Sequence, residues 1–357
     1  MFGLLPHRAF LSITDELITG HLDAKINRTI GVYPMLQNET CWFLAIDFDK
    51  QNWMQDATAV MRTCEDFQIP AVLERSRSGN GGHIWLFFDQ PVDASLARKL
   101  GCALLTKTME NRYELGLDSY DRLFPNQDTL PKGGFGNLIA LPLQGGPRKE
   151  RNSVFVDGNF TPYEDQWSFL SGLRKMSLSQ MESKLQEMTS NSSVLNVGIW
   201  EEEDRPWEKQ QMEFEEEEKM MTLPSKVRLI LSNMIYVEKN GLSSQTINRI
   251  RRLASFQNPD FYKTQAMRLP TYGKPRVIGC AEDFPKHIAL PRGCLQLVSD
   301  FFAKYGVELS ITDERNKGIE VDLYFSGQLS ILQDAAARSI LAHDTGILSA
   351  TTAFGKQ

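Results

Sequence analysis

The sequence predicts an α+β fold: a mixed sheet with helices, followed by a second, smaller mixed α/β domain. Three observations carry that expectation. Short apolar runs of strand length alternate with stretches of helical period. A Gly-rich hairpin at 76–82 joins two strand runs and brings in antiparallel pairing, which departs from a doubly wound parallel sheet. At 357 residues the chain exceeds what one core normally holds, so two or three domains are expected.

Each element has a local reason. Residues 10–24 read as a helix, with Thr14 as N-cap and acids in the first turn. Residues 29–36 and 41–49 read as strands. Residues 52–67 place Trp53, Ala57, Val60, Met61 and Cys64 at helical spacing. Residues 70–75 and 83–88 are strands around the Gly-rich turn, and a strong helix starts near Asp93 and runs to 111. A polar, Pro- and Gly-rich segment follows at 118–136, then a strand at 137–143, a short strand at 153–157 and two helical stretches that end by about 190. Residues 191–222 turn abruptly polar and acidic, the composition of a linker or solvated helix. A second globular unit begins at about Leu223, with an amphipathic stretch at 226–238 and a helical one at 243–256.

Composition narrows the function classes. Hydrophobic residues make up 41% of the chain and charged residues 24%, ordinary for a globular protein. No apolar run is long enough to span a bilayer, so no membrane partner is expected. The five cysteines are scattered without a C-x-x-C pair, which speaks against a disulfide framework or a cysteine zinc site and fits a reducing cytoplasm. The net charge of −6 is uneven. Residues 201–220 hold ten acids against three bases, whereas 226–292 hold twelve bases against four acids. Arg249, Arg251, Arg252, Tyr262, Tyr272 and Phe261 lie in that basic stretch. It suits either an ordinary surface or contact with a phosphate backbone.

Three blocks carry the chemistry. The first is CWFLAIDFDK at 41–50. Residues two apart on a strand share a face, so Asp47 and Asp49 project side by side at the strand's end. Two carboxylates that close repel each other unless a cation stands between them, and oxygen donors suit Mg²⁺ or Mn²⁺. A lone D-x-D also suits two solvated acids. The second block, RSRSGNGGHIW at 75–85, sets Gly79, Gly81 and Gly82 where backbone N–H groups can turn toward an anion, with His83 opening a strand. A structural hairpin reads the same way, and the spacing matches neither a P-loop nor a dinucleotide fingerprint. The third block, 118–144, offers Asp118, Asp121 and Asp128 ahead of a Gly-rich loop and an apolar strand. Any one of them could add a third carboxylate to a two-metal site; each alone also suits turn chemistry.

Taken in order, these blocks resemble the archaeo-eukaryotic primase superfamily: a strand-borne D-x-D, an S-x-H-like motif in a Gly-rich hairpin, and an acid ahead of a last core strand. The resemblance is narrowest to the primase-polymerase of TOTE conflict systems, over about residues 8–190, in ETCWFLAIDFDK, LERSRSGNGGHIW and LDSYDRLFPNQDTLPKGGFGNLIALPLQ. It implies an RRM-like catalytic domain at 1–190, an acidic linker at 191–222, a helicase-associated accessory domain at 223–340 and, at 341–357, the truncated start of a superfamily-two helicase P-loop. It assigns the third acid to Asp128, whose distance to Pro142 suits the family spacing, with Asp121 as the alternative. It implies two ions, Mg²⁺ or Mn²⁺, held by Asp47, Asp49 and Asp128. Ser78, Gly79, Gly81, Gly82 and His83 would hold the nucleotide's phosphates, with Arg77 and Lys132 as further phosphate ligands. Asn137 and Gln144 would contact the nucleotide or satisfy backbone.

The implied partners are a DNA template and primer, nucleoside triphosphates, and a helicase module in the same or another chain. The implied activity is DNA primase/polymerase-type nucleotidyl transfer. The competing readings are a non-catalytic nucleic-acid-binding module and a metal-dependent nuclease. The P-loop resemblance breaks at Gln357, where a Ser or Thr should follow Lys356, so no helicase ATPase is expected. Family members often carry a cysteine cluster ahead of the block at 5–10, where this chain has none, which bears on primer initiation. The two edges read as those of a fragment or a split gene.

Overall fold

The computed structural model describes residues 12–49, 51–189, 223–316, 318–352 and 354–355. The acidic linker, and Lys356 and Gln357 of the P-loop-like end, lie outside the described residues. The chain divides into two units: Met1–Met220 with Gln257–Ile278, and Met221–Phe256 with Gly279–Gln357.

The first unit opens with α1 (Asp15–Leu22), whose N-cap Thr14 accepts the Leu17 N–H at 3.3 Å. β1 is Gly31–Val32. Then follow β2 (Thr40–Phe48), α2 (Trp53–Asp66), β3 (Val72–Arg75), β4 (Gly82–Asp93), α3 (Ala94–Asn111) and β5 (Leu123–Phe124). After these come β6 (Ile139–Ala140), α4 (Gly145–Lys149), β7 (Val154–Val156), α5 (Gln166–Ser171) and α6 (Leu178–Thr189).

The main sheet has the order β5-β2-β4-β3-β7, with every pairing antiparallel. The run β2-α2-β3-β4-α3-β5 is thus the β-α-β-β-α-β unit of ferredoxin-like folds. This is the α+β, antiparallel architecture that the hairpin at 76–82 pointed to. Alternation divides the sheet's two faces. Leu44, Ile46 and Phe48 of β2 and Ile84, Leu86 and Phe88 of β4 pack with Ala57 and Val60 of α2 and Leu100 and Leu104 of α3. Ala45 and Trp85 face the other way, with Ile139 and Phe155.

Two expected strands shrink. The runs at 29–36 and 137–143 yield only β1 and β6, which pair with each other outside the main sheet. Pro34 and Pro142 lack an amide to donate. Gly136 (φ 78°) and Leu143 (φ 67°) also turn the backbone out of the extended region.

In the second unit, β8 (Lys226–Leu231) and β9 (Ile235–Glu238) form a hairpin, followed by α7 (Ser244–Leu253). β10 (Ser255–Gln257) and β11 (Val277–Gly279) pair as a two-stranded sheet on either side of α8 (Pro259–Ala266), which belongs to the first unit. β12 (Glu282–Asp283), β13 (His287–Leu290), α9 (Leu295–Lys304), β14 (Glu308–Asp313) and α10 (Ile331–Leu341) complete the chain. The second sheet has the order β12-β13-β9-β8-β14, with β14 parallel to β8. Part of this unit's positive charge is spent internally: Arg251 donates to Asp283 at 3.2 Å and Arg249 to the Tyr305 hydroxyl at 2.9 Å.

The hairpin between β3 and β4 lies hard against the end of β2. A Cβ added at Gly81 would stand 2.5 Å from the Phe48 carbonyl oxygen. That contact is to backbone and cannot be relieved by a rotamer change. Gly81→Ala is therefore expected to destabilise the first unit by about 1–3 kcal/mol, read as a lowered urea midpoint. An unchanged midpoint would contradict this packing.

Candidate active site

β2 and β4 bring the first two blocks together. In their register Asp47 stands opposite His83 and Phe48 opposite Gly82. Alternation puts Asp47 on the face away from α2 and α3, and Asp49 follows one residue beyond the strand's end. His83 Nε2 lies 3.5 Å from Asp47 Oδ1. Its other ring nitrogen, Nδ1, is 2.9 Å from Glu74 Oε2. Glu74 is 2% exposed, and the same oxygen accepts the Trp85 indole N–H at 2.9 Å. The imidazole is thereby fixed between two carboxylates.

That placement governs its charge. Burial pulls the His83 pKa down, but the Glu74 hydrogen bond and charge, then the Asp47 charge, more than offset it, and the pKa rises above the ordinary 6.5. As imidazolium, both ring N–H groups donate. Because the folded value lies above the unfolded one, this cation stabilises the fold fully below 6.5, and the contribution is lost as pH rises through the folded value.

The third block supplies a cation rather than a third acid at this point. The Asp47 N–H donates to the Arg122 carbonyl at 3.0 Å, and the Arg122 guanidinium pairs with Asp49. Arg122 Nε is also 3.6 Å from Asp118 Oδ2. A small cleft of about 20 Å³ is lined by Asp47, Asp49, Asp56, Glu114, Ser119 and Arg122, among others. Asp56 is itself held by Arg112 at 2.7 Å.

Asp128 is placed differently. Its carboxylate pairs with Arg98 of α3, the helix on the opposite face, and accepts the Gln265 amide at 3.0 Å. Burial would raise the Asp128 pKa, but the Arg98 charge and hydrogen bond hold it below the usual carboxylate value. Arg98 is 1% exposed, so Asp128 is its neutralising partner. Asp121, next to Arg122, has its Oδ1 bound by the Arg276 N–H at 2.8 Å, and burial, only partly offset by Arg276, raises its pKa.

The hairpin's polar groups are largely turned inward. The Gly79 N–H bonds to the Ser76 carbonyl at 3.0 Å, and Gly79 takes φ 77°, a conformation that side chains resist. Ser78 Oγ accepts the Asn80 N–H at 3.2 Å. Gly81 and Gly82 are buried, Gly82 against Trp53. Arg77 is exposed, its guanidinium on Thr29 Oγ1 at 3.0 Å. The Lys132 side chain is exposed, and its backbone N–H bonds to the Arg268 carbonyl. Asn137 donates to the Leu123 carbonyl at 2.9 Å and Gln144 to Asn27 Oδ1 at 3.0 Å, so both serve local structure.

The site therefore gathers Asp47, Asp49 and His83, and adds Glu74 and Arg122, which the sequence reading did not single out. Glu74 had a signal: an acid beside Leu73 in a buried strand needs a partner. Among the described residues, no three acidic, His or Cys side chains converge closely enough to hold an ion by themselves. Asp47 and Asp49 line one cleft, their oxygens are the donor type that a hard divalent cation takes, and Arg122 pairs with Asp49 there. Asp128, committed to Arg98, does not fit that set.

Glu74→Gln is expected to bring the His83 titration, followed by NMR of the imidazole, down toward or below 6.5. An unchanged titration would show that Glu74 does not hold the charge.

Comparison with known proteins agrees with this geometry. No curated protein matches the chain. The family model described as TOTE conflict system, Archaeo-Eukaryotic Primase domain, matches residues 2–184, which contain β2, the hairpin and β4. The match takes in more than half of the 357 residues, and this chain belongs to the archaeo-eukaryotic primase family of TOTE conflict systems.

Proposed function

We propose that the protein is a template-directed nucleotidyltransferase that adds nucleotides to a primer's 3′-hydroxyl. The observation that carries this reading is the register placing Asp47 opposite His83, with Asp49 beside them, in a primase-family domain. The substrates are nucleoside triphosphates and a DNA primer-template.

Each residue has a task. Asp47 and Asp49 hold one or two divalent ions, Mg²⁺ or Mn²⁺. When bound, such ions supply charge to activate the 3′-hydroxyl and stabilise the leaving pyrophosphate. Arg122 leaves Asp49 as the substrate enters and meets the triphosphate's negative charge. His83, kept cationic by Glu74, donates to a phosphate oxygen through Nε2. Ser78 and Arg77, exposed on the hairpin, reach outer phosphate oxygens. Asp121, its Oδ1 bound by the Arg276 N–H, helps hold the backbone that carries Arg122, whose carbonyl accepts the Asp47 N–H.

Primer extension with Mn²⁺ tests the assignment. Asp47→Ala/Asp49→Ala is expected to lose about 100-fold or more in rate. Asp128→Asn should lose about 3 kcal/mol of stability, as a broken buried pair does, with a rate loss well below that of the Asp47/Asp49 double variant. No extension by the wild type, or equal extension by the Asp47/Asp49 double variant, contradicts the proposal. Salt-sensitive nucleic-acid binding without extension would favour a binding module instead.

A further inference from the structure

Residues 257–278 lie far beyond the family match, yet they belong to the first unit. Both ends of this strap run in sequence into the second unit, at Phe256 and Gly279. Within it, Asn258 caps α8 and its Nδ2 donates to the Pro275 carbonyl at 2.8 Å, closing the strap on itself. Val277 enters the first unit's core.

The strap grips one loop, residues 121–132. The Arg276 N–H binds Asp121 Oδ1 at 2.8 Å, and its guanidinium donates to the Asn126 carbonyl. Gln127 donates to Thr271 Oγ1. Gln265 donates to Asp128 at 3.0 Å and accepts the Asp128 N–H at 3.3 Å. The Lys132 N–H reaches the Arg268 carbonyl. Arg276 is fully buried and lies 4.4 Å over the Phe261 ring. The gripped loop contributes only two residues, β5, to the main sheet, and outside the strap it is held by Arg98 on Asp128, by the Asp47 N–H on the Arg122 carbonyl and by Glu39 on the Leu130 N–H. It is also the loop that carries Arg122 to Asp49 and to the Asp47 amide.

We propose that the strap is a working part of the catalytic unit. Arg276 and Gln265 are positioning residues that hold the 121–128 loop so that Asp121 and Arg122 stand correctly against Asp47 and Asp49. Apart from Arg268, which donates to Glu39 at 2.7 Å, these hydrogen bonds fall on consecutive parts of this one loop, which a burial-only role for the strap would not need. The proposal rests on the nucleotidyl-transfer reading only for its kinetic consequence. The mechanical part, strap holding loop, stands independently.

The test uses the full chain with Arg276→Met, Arg276→Lys and Gln265→Ala. Gln265→Ala removes only the amide clamp and serves if Arg276→Met fails to fold. Hydrogen exchange is read over 119–132 and, as internal reference, over β3 and β4. The expected result is about tenfold faster exchange at 119–132 for Arg276→Met and Gln265→Ala, with the reference unchanged. Arg276→Lys, which keeps the charge, should fall between. In primer extension, kcat should drop about tenfold while the nucleotide KM stays within about twofold. Unchanged exchange at 119–132 in Gln265→Ala and Arg276→Met overturns the proposal. Faster exchange with wild-type kcat overturns the positioning role. If wild-type protein extends nothing, the nucleotidyl-transfer reading fails, and the exchange comparison still decides whether the strap holds the loop.

Discussion

The pairing of β2 with β4 is the constraint on which the site depends. It sets Asp47 opposite His83 while Leu44, Ile46 and Phe48 face the helices. A slip of one residue would send the apolar set to the other face and turn the carboxylates toward the helices, so the core itself enforces this register. Glu74 reinforces it from the next strand. It stands opposite His83 in the β3–β4 register and accepts from His83 and Trp85. A buried carboxylate with those donors is costly to move in any direction.

Charge is balanced locally rather than across the chain. At the end of β2, Arg122 offsets the paired acids, and Glu74 and His83 neutralise each other beside them. On the helix side, Arg98 and Asp128 form a second, buried balance. There, burial and the like charge of Arg98 push the Arg276 pKa down, and the Phe261 ring beneath the guanidinium gives it a favourable face. The first balance is open to solvent because Arg122 is partly exposed. The second holds the fold.

Much of this was legible in the sequence. The strand that carries Asp47 toward Asp49 and the hairpin that starts the His83 strand stand where the apolar run and the glycines put them. The helices followed their apolar spacing, with Thr14 and Asp93 at the boundaries expected. Asp128 shows where spacing fails. Its distance to Pro142 was informative only if 137–143 formed a core strand, and β6 pairs instead with β1, outside the main sheet. The claims of Arg98 and Gln265 on Asp128 have no local signature, since they come from 30 and 137 residues away. The strap was invisible for the same reason. Its residues read as part of a basic stretch, and nothing in composition tells a surface arginine from Arg276, which is buried.

The central claim is that Asp47 and Asp49, not Asp128, form the cation site. Mn²⁺ binding followed by electron paramagnetic resonance tests it most directly, on the wild type, Asp47→Asn/Asp49→Asn and Asp128→Asn. The account predicts that the double variant loses bound Mn²⁺ and that Asp128→Asn binds as the wild type does. Retained binding in the double variant, or loss confined to Asp128→Asn, would contradict it.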